Sequence, residues 1–313
     1  MTWEWILIVL GILVVLFVVA TYIVYRIVFH RDRKMSDNEY DLPAIKQINQ
    51  YKDFMYSLIE EMKSQKCEDI NILAKDGIKL SARYYHISDG APIQIQCHGY
   101  KGNPVRDFCG GNKLSREKGH NALVIEHRGH GRSGSNTISF GILEHKDVLC
   151  WIDYLISRFG ENTKIILTGV SMGAATVLMT LQHDLPKNVI CVVADCPYSS
   201  VRGIIDKVCK DDLKLPPKLV FPLIYCAGLF WGRFNMLKGD VRVAVKNTKI
   251  PVLIIHGKAD GLIPYSHSEE IINNISSNKR LELFEGADHG LSYMADPNRY
   301  INAVDEFIKE NNL

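Results

Sequence analysis

The chain has 313 residues, a formal net charge of +2 and a hydrophobic content of 47%. This length can hold one large domain with appendages. The balanced charge, with no basic stripe interleaved with aromatic residues, argues against nucleic acid as a partner. The eight cysteines are scattered and form no CxxC pair, so we interpret them as reduced core residues rather than a disulfide framework.

The first thirty residues predict a retained transmembrane anchor. Residues 5–25 are 21 consecutive uncharged residues, nearly all Ile, Leu, Val or Phe. As a helix, at about 1.5 Å per residue, they span the roughly 30 Å hydrocarbon core of a bilayer. Interfacial aromatic residues stand near both ends: Trp3, Trp5, Tyr22 and Tyr25. A cleaved signal peptide or a non-spanning segment is the alternative, although no basic residue precedes the apolar run.

Charge on either side of the apolar segment predicts where the body of the chain lies. Arg26, Arg31, Arg33 and Lys34 follow the segment, whereas Glu4 is the only charged side chain before it. The positive-inside rule therefore predicts a single-pass protein of the cell membrane with its C-terminal domain in the cytoplasm. A domain exported behind an uncleaved anchor is the alternative that stays open.

Residues 31–66 are predicted to be a linker followed by an amphipathic helix. Leu58, Ile59 and Met62 lie on one side of that helix. It is expected to lie near the membrane or against the domain that follows, and a plain solvated helix is an equally good interpretation.

Residues 67–313 predict a mostly parallel, doubly wound α/β domain. An Asp-Gly turn joins two strands into a hairpin over 70–86, and short apolar strands then alternate with helices. The further predicted strands are 93–97, 122–126, 164–168, 189–194, 251–256 and 281–284, and the predicted helices include 142–159, 172–183, 265–275 and 297–311. Such alternation is typical of a parallel sheet covered by helices on both faces.

One stretch, at about 199–248, interrupts the alternation. Because a structureless loop of that length is improbable, we predict a small helical insertion whose apolar face could cover a site as a cap. The apolar run 219–231 inside it raises the alternative of a second membrane contact. That run is too short to span a bilayer and is broken by Pro222 and Gly228.

The pentapeptide Gly169-Val-Ser-Met-Gly173 lies between a predicted strand and a predicted helix. A serine on such a sharp turn has its hydroxyl exposed above the sheet edge, and the flanking glycines permit the turn and the close approach of the helix. The pattern alone is common by chance, but the strand, turn and helix occur here in order. Ser171 is therefore the candidate nucleophile.

A serine hydroxyl needs a base to remove its proton, and the base needs a carboxylate to orient it. Asp260 follows a late predicted strand, and His289 lies in a glycine-flanked loop after the final one. The order Ser, Asp, His is the order in which such triads occur on doubly wound hydrolase sheets. Asp195, which also follows a strand, is the alternative acid, and Asp288 is expected to cap its own turn.

An acyl-transfer site also needs two backbone N–H groups for the oxyanion. Met172 follows the nucleophile and supplies one predicted donor. The turn His98-Gly99 after an earlier strand suggests the N–H of Tyr100 as the other.

Taken together, these motifs resemble the α/β-hydrolase superfamily, and within it the serine-aminopeptidase-like and Bem46-like bacterial serine hydrolases. The residues that carry the resemblance are His98-Gly99, 126–133, 169–173, Ala194-Asp-Cys-Pro-Tyr198, Asp260 and Asp288-His289-Gly290. The resemblance covers about 68–312 and implies a carboxylic-ester hydrolase without naming a substrate. Glu126 departs from the Asp of many relatives, at a position that is structural in them.

Two rival interpretations apply to loop residues of this domain. Residues 129–134 match G-x-G-x-x-G, but the next helix does not begin on the last glycine and no acidic residue ends the next strand, which disfavours a dinucleotide site. His98, His127 and His130 could suggest a metal cluster. They are expected instead to be loop histidines near the mouth of a pocket.

The sequence thus predicts a membrane-anchored serine hydrolase that cleaves a carboxylic ester or thioester. Its expected substrate is a small acyl compound, with a lipophilic one favoured, and no cofactor, metal or nucleic acid is implied. A peptidase or amidase could use the same triad, although no acidic group to hold a substrate ammonium is evident. A non-catalytic binding protein on the same fold is the alternative from another class.

Overall fold

The computed structural model describes residues 3–31 and 38–312. Arg33 and Lys34, two of the four basic residues used to predict the orientation, lie outside the described residues. An eight-stranded sheet with the order β1-β2-β4-β3-β5-β6-β7-β8 forms the centre of the molecule. Its strands are β1 Glu68–Leu73, β2 Lys79–Tyr85, β3 Ile93–Cys97, β4 Asn121–Glu126, β5 Ile165–Val170, β6 Val189–Asp195, β7 Val252–Gly257 and β8 Lys279–Phe284.

The direction of the strands follows from their connections. β1 and β2 form the predicted hairpin, and β2 pairs antiparallel with β4. From β4 to β8 every neighbouring pair is parallel. β3, β4 and β7 are buried at every position, as expected for strands covered on both faces. The predicted doubly wound α/β sheet is confirmed.

Helices cover the two faces of this sheet and extend beyond it. Their bounds are α1 Trp3–Val28, α2 Lys52–Lys63, α3 Pro104–Glu117, α4 Glu144–Phe159, α5 Met172–Thr180, α6 Val201–Lys207, α7 Pro217–Phe230, α8 Val241–Ala244, α9 Ser266–Ile272, α10 Ser292–Ala295 and α11 Pro297–Glu310. The sequence did not predict α3. The Asn103 side chain caps its N-terminus by accepting from the N–H groups of Val105 and Arg106, and Pro104 occupies the first turn.

The region between β6 and β7 is helical, as the insertion was predicted to be. It contains α6, a π-helical turn at Val208–Asp212, α7 and α8. Helix α7 packs along α1, and the indole N–H of Trp231, just after α7, donates to the Thr21 hydroxyl at 3.2 Å. The division of the chain into anchor, linker and capped domain stays a prediction.

Among the described residues, α1 is the one helix long and apolar enough to cross a membrane. Most of its side chains are exposed, but its end is attached to the α/β body. Phe29 is fully buried against Phe140 and Phe234. The carbonyl of Phe29 also accepts from the N–H of Ile138 at 2.7 Å. The helix is therefore a candidate membrane span whose end packs directly on the body.

The segment that begins at residue 38 also packs on the body. Leu58, Ile59 and Met62 of α2 are buried in a cluster with Val105 and Phe108 of α3. Of the interpretations left open for this amphipathic helix, the structure shows the one in which it packs against the domain.

Candidate active site

Ser171 occupies a strained turn at the carboxyl end of β5. Its φ of 56° and ψ of −118° place it in a region that side-chain-bearing residues rarely adopt. Its own N–H donates to the carbonyl of Asp195 at 2.8 Å, and its carbonyl accepts from Ala175 at 3.0 Å. These bonds fix the turn between β5 and α5 and hold the hydroxyl at the sheet edge.

The two glycines of the pentapeptide are required by close backbone packing. A Cβ at Gly173 would lie 1.8 Å from the carbonyl oxygen of Cys97 on β3. A Cβ at Gly169 would lie 2.3 Å from the carbonyl oxygen of Gly173. No side chain fits at either position, so α5 can start directly above the sheet only with glycine there.

The structure brings Ser171, His289 and Asp260 into one hydrogen-bonded line. The Ser171 hydroxyl donates to Nε2 of His289 at 2.9 Å, and Nδ1–H of His289 donates to Oδ2 of Asp260 at 2.7 Å. The three residues come from different loops, each at the carboxyl edge of the parallel sheet. This is the arrangement of nucleophile, base and orienting acid that acyl transfer requires.

The Asp260 carboxylate is held by more than His289. Its Oδ1 accepts from the N–H groups of Leu262 and Ile263 at 2.9 and 2.7 Å, and its Oδ2 accepts from Nε2–H of His256 at 3.2 Å. Burial by itself would raise the pKa of Asp260, but the hydrogen bonds from His256 and His289 hold that pKa well below its usual range. The group is therefore a carboxylate at neutral pH.

His256 is a residue of the candidate site that the sequence did not predict. It is completely buried near the end of β7, and its Nδ1 accepts from the Ser268 hydroxyl at 2.6 Å. This bond leaves Nε2 protonated, so that Nε2–H donates to Asp260 and also to the carbonyl of Ile263 at 2.8 Å. The sequence did offer one signal for this residue, because His256 is the single polar side chain in a strand of otherwise apolar residues.

The other two acidic candidates have different positions. Oδ1 of Asp288 accepts from the N–H groups of His289 and Gly261 at 2.8 and 3.1 Å, so it caps its turn as expected and joins the loops that carry His289 and Asp260. Asp195 is buried, and burial raises the pKa of its carboxyl to about 7. Within the described chain, the imidazole of His289 bonds to Asp260 rather than to Asp195.

The predicted oxyanion donors flank Ser171. Met172 is the first residue of α5, and Tyr100 lies in a tight turn closed by the N–H of Gly102 donating to Gly99 at 3.0 Å. The turn approaches Ser171 closely, since a Cβ added at Gly99 would lie 3.5 Å from Cβ of Ser171. The N–H of Gly99 is occupied by Asp107 at 3.0 Å, which leaves Tyr100 as the next backbone donor in this turn.

Two cavities meet at Ser171, and Tyr100 and Leu262 line both. The apolar cavity has a volume of about 360 Å³, and its walls include Ile27, Val28, Met172, Ile205, Leu213 and Ile224. The second cavity has a volume of about 260 Å³, and its walls include Ala44, Ile45, Met55, Arg106, His289 and Leu291. An ester bond at Ser171 would thus have separate space for its acyl and alcohol parts.

The histidines considered as metal ligands are core residues, so the expectation that they lie near a pocket mouth is wrong. His98, His127 and His130 are buried, and none lines either cavity. Burial lowers the pKa of each, that of His98 to about 3, so the cluster is uncharged. The backbone N–H of His127 donates to Nε2 of His98 at 3.1 Å.

The described residues contain one group of three potential metal ligands, Cys196, Asp260 and His289. Two of them, Asp260 and His289, are already hydrogen-bonded to each other. Burial raises the pKa of the Cys196 thiol well above its usual range, which disfavours the thiolate that a metal would need. The G-x-G-x-x-G segment at 129–134 lies in a loop, and the next helix begins only at Glu144.

Comparisons with known proteins agree with this fold. A family model described as alpha/beta hydrolase fold matches residues 95–212, and one described as serine aminopeptidase, S33, matches residues 230–296. The uncharacterized protein YqkD of Bacillus subtilis is 28% identical over 233 residues, which are 73% of this chain and 75% of that protein. The uncharacterized protein YfhR of Escherichia coli K12 is 25% identical over 228 residues, 71% of this chain and 73% of that protein.

Solved structures share the fold at low identity. The Pyrococcus furiosus esterase Pf2001 aligns with a TM-score of 0.66 and 24% identity over 80% of this chain and 93% of that one. Est1E of Butyrivibrio proteoclasticus, in a structure with ferulic acid bound, aligns with a TM-score of 0.61 and 22% identity over 77% of this chain and 98% of that one.

Proposed function

Because the chain belongs to the α/β-hydrolase superfamily, we propose that it is a serine hydrolase that cleaves a carboxylic ester or thioester. The observation that carries the proposal is the unbroken line from the Ser171 hydroxyl through His289 to Asp260, with bonds of 2.9 and 2.7 Å. Pf2001, one of the structures that share the fold, is an esterase, which supports the same chemistry.

The first half of the reaction forms an acyl-enzyme. Nε2 of His289 accepts the proton of the Ser171 hydroxyl while Oγ bonds to the substrate carbonyl carbon. The resulting oxyanion accepts from the N–H groups of Tyr100 and Met172. As the tetrahedral intermediate collapses, the bond to the leaving oxygen or sulfur breaks, and Nε2 returns its proton to that atom.

The second half restores the enzyme. Water attacks the acyl carbon and gives a proton to Nε2 of His289, and the bond between the carbon and Oγ of Ser171 then breaks as that proton returns to the serine. Throughout, Asp260 keeps Nδ1 of the imidazole protonated and stabilises the imidazolium. The depressed pKa of Asp260 suits this role, because the carboxylate stays charged.

A peptidase using the same triad is the enzymatic alternative, and the partial match to the serine aminopeptidase model motivates it. An aminopeptidase needs a carboxylate to bind the substrate ammonium. Asp107 lines the second cavity but pairs with Arg106 at 2.8 Å, and Asp212 lines the apolar cavity but pairs with Lys207 at 2.9 Å. Because both carboxylates are already paired, an ester substrate is favoured over a peptide with a free amino group.

The test of the proposed function is removal of the nucleophile. Ser171→Ala should lower the turnover of p-nitrophenyl esters by about 10⁴-fold or more, since triad members act as a unit. Ser57→Ala, on the exposed face of α2, is the matched control and should keep wild-type activity. A fluorophosphonate probe should label Ser171 of the folded protein. Wild-type protein that stays unlabelled, or an alanine variant that keeps most of its activity, would refute the assignment.

We further propose that α1 is a retained anchor with the body on the cytoplasmic side. Cys67 offers a test, because it is exposed while Cys226 is half-buried and the other six cysteines are buried. A membrane-impermeant maleimide should label Cys67 only after the cells are permeabilised, and Cys67→Ser should remove that label. Labelling of intact cells would place the body outside, and release of the protein by alkaline carbonate would argue against an anchor.

A further inference from the structure

We propose that the substrate is a long-chain acyl ester held in the membrane, whose acyl chain enters the apolar cavity directly from the bilayer past the end of α1. The inference rests on the proposed function, since Ser171 must attack the ester. It goes further in assigning the substrate class, the route of entry and a role for the anchor as a wall of the site.

The apolar cavity is suited to a hydrocarbon chain. Its volume of about 360 Å³ lies within the range of small-molecule sites, about 300–1,000 Å³. Two tyrosines line it, but their polar ends are occupied: the Tyr100 hydroxyl donates to the carbonyl of Val28 at 2.7 Å and the Tyr198 hydroxyl to that of Phe140 at 2.9 Å. The tyrosine hydroxyls are thus already satisfied within the protein, and the cavity presents mainly apolar surface to its ligand.

Two exposed apolar side chains lie at the rim of the cavity, beside the ion pair of Asp212 with Lys207. Ile27 at the end of α1 is 64% exposed, Leu213 before α7 is 58% exposed, and both line the cavity. Exposed apolar groups around an opening are costly in water and mark a lipid or ligand contact. Leu215 and Leu219 extend this apolar surface along the start of α7.

The position of α1 in a bilayer places this rim at the membrane surface. Its 26 residues form a helix of about 39 Å, roughly 9 Å longer than a hydrocarbon core of about 30 Å. The turn that contains Ile27 and Val28 therefore lies at the level of the lipid headgroups and the first methylenes. A lipid beside α1 would have its ester group at the same depth.

Helix α7 supports the same placement. Ile224 of α7 lines the cavity together with Val28, whereas Trp231 after its last turn contacts Thr21 and Tyr22 of α1. Helix α7 therefore runs antiparallel to α1, and its C-terminal end reaches a level of α1 deeper in the bilayer. The exposed side chains there are Leu229, Phe230 and Trp231, of which tryptophan favours the interface.

The loop with the proposed oxyanion donor is bonded to the same end of α1. Besides the Tyr100 hydroxyl, Nζ of Lys101 donates to the carbonyl of Ile27 at 3.1 Å. These bonds join the last carbonyls of the anchor to the loop beside Ser171. A chain that passes Ile27 is thereby aligned with the nucleophile, and the alcohol part of the ester is left in the second cavity with Arg106.

The experiment compares full-length protein in detergent micelles on p-nitrophenyl acetate, octanoate and palmitate. The wild type should prefer the long chains by at least tenfold in kcat/KM. Ile27→Trp should lower the ratio of kcat/KM on palmitate to kcat/KM on acetate by about tenfold, because the larger side chain would exclude about two methylenes of the acyl chain from the cavity. Ile23→Trp is the matched control, because Ile23 lies one turn earlier on α1, is 51% exposed and does not line the cavity. Its ratio should equal that of the wild type.

A second arm tests the route of entry. Palmitate ester carried in the same phosphatidylcholine vesicles as the protein should be hydrolysed at least tenfold faster than ester carried in separate vesicles. Equal rates, or the same chain-length profile in the wild type, Ile27→Trp and Ile23→Trp, would overturn the inference and leave the proposed function intact. A wild type that hydrolyses no ester and takes no fluorophosphonate at Ser171 would overturn both.

Discussion

At the residue scale, the Asp260 carboxylate receives two imidazole N–H groups, one from His289 and one from His256. Of these two histidines only His289 contacts Ser171, so in the proposed mechanism His256 acts through Asp260, as a positioning residue. Its own orientation is fixed by the Ser268 hydroxyl at 2.6 Å. A hydrogen bond from His256 favours the charged form of the Asp260 carboxyl, and the charged carboxylate in turn orients His289.

Replacing His256 should therefore change the pH dependence as well as the rate. We expect His256→Ala to lower kcat by roughly tenfold with little change in KM, since the lost bond loosens the imidazole rather than the substrate. Without this donor the pKa of Asp260 rises toward that of a buried carboxyl, so the acid limb of kcat/KM should move to higher pH. His256→Gln, which keeps a donor, should recover part of both effects. An unchanged pH profile in His256→Ala would contradict the positioning role.

The sequence predicted the positions of Ser171, Asp260 and His289 because each follows a recognisable strand in a fixed order. His256 could not be predicted in the same way. Its proposed role depends on the fold of the loop after β7, which brings Asp260 and the carbonyl of Ile263 to Nε2 of His256. It also depends on the Ser268 hydroxyl of α9, which contacts Nδ1. Order along the chain carries no such information.

At the element scale, the strand–turn–helix unit around Ser171 depends on how closely α5 approaches the neighbouring strand. Gly173 is the contact point, with Cys97 of β3 beneath it. The atom in the way of any side chain is a backbone carbonyl in the middle of a parallel sheet, which cannot move without breaking the register of β3.

Gly173→Ala should therefore destabilise the protein by about 3 kcal/mol or more, since overpacking costs 1–3 kcal/mol even where side chains can adjust. Gly228→Ala is the matched control on α7, where an added Cβ would lie 3.3 Å from the side chains of both Met236 and Phe234 and would meet no backbone atom at that distance. It should change the free energy of unfolding by less than about 1 kcal/mol. Urea denaturation in detergent measures both, and equal midpoints for the two variants would contradict the packing argument.

Helix α3 shows why one helix could not be predicted from the sequence. Its buried face includes Gly110 against the ring of Tyr293, where an added Cβ would lie 2.5 Å from that ring. Small residues chosen for close packing weaken the apolar periodicity from which helices are predicted. The cap at Asn103 and the following Pro104 were the remaining local signals.

At the scale of the whole molecule, the described structure joins the predicted anchor to the α/β body. The backbone of 29–31 bonds to the loop 136–138, and Phe29 fills a pocket in the core beside Phe140 and Phe234. The sequence predicted the apolar helix from composition alone. Its docking depends on residues more than a hundred positions away, which local patterns do not relate to it.

Because of this docking, Phe29 at the end of the predicted anchor contributes to the stability of the α/β body. Phe29→Ala should lower the free energy of unfolding of the body by about 3–5 kcal/mol, because it empties a fully buried aromatic site. In a domain of this size that is a fall in Tm of roughly 10 °C. Phe17→Ala is the matched control on α1, where the side chain is 45% exposed, and it should leave the Tm of the body unchanged. Thermal unfolding in the same detergent, followed by loss of fluorophosphonate labelling, measures both. If the two variants unfold together with the wild type, the end of α1 is not part of the folded body.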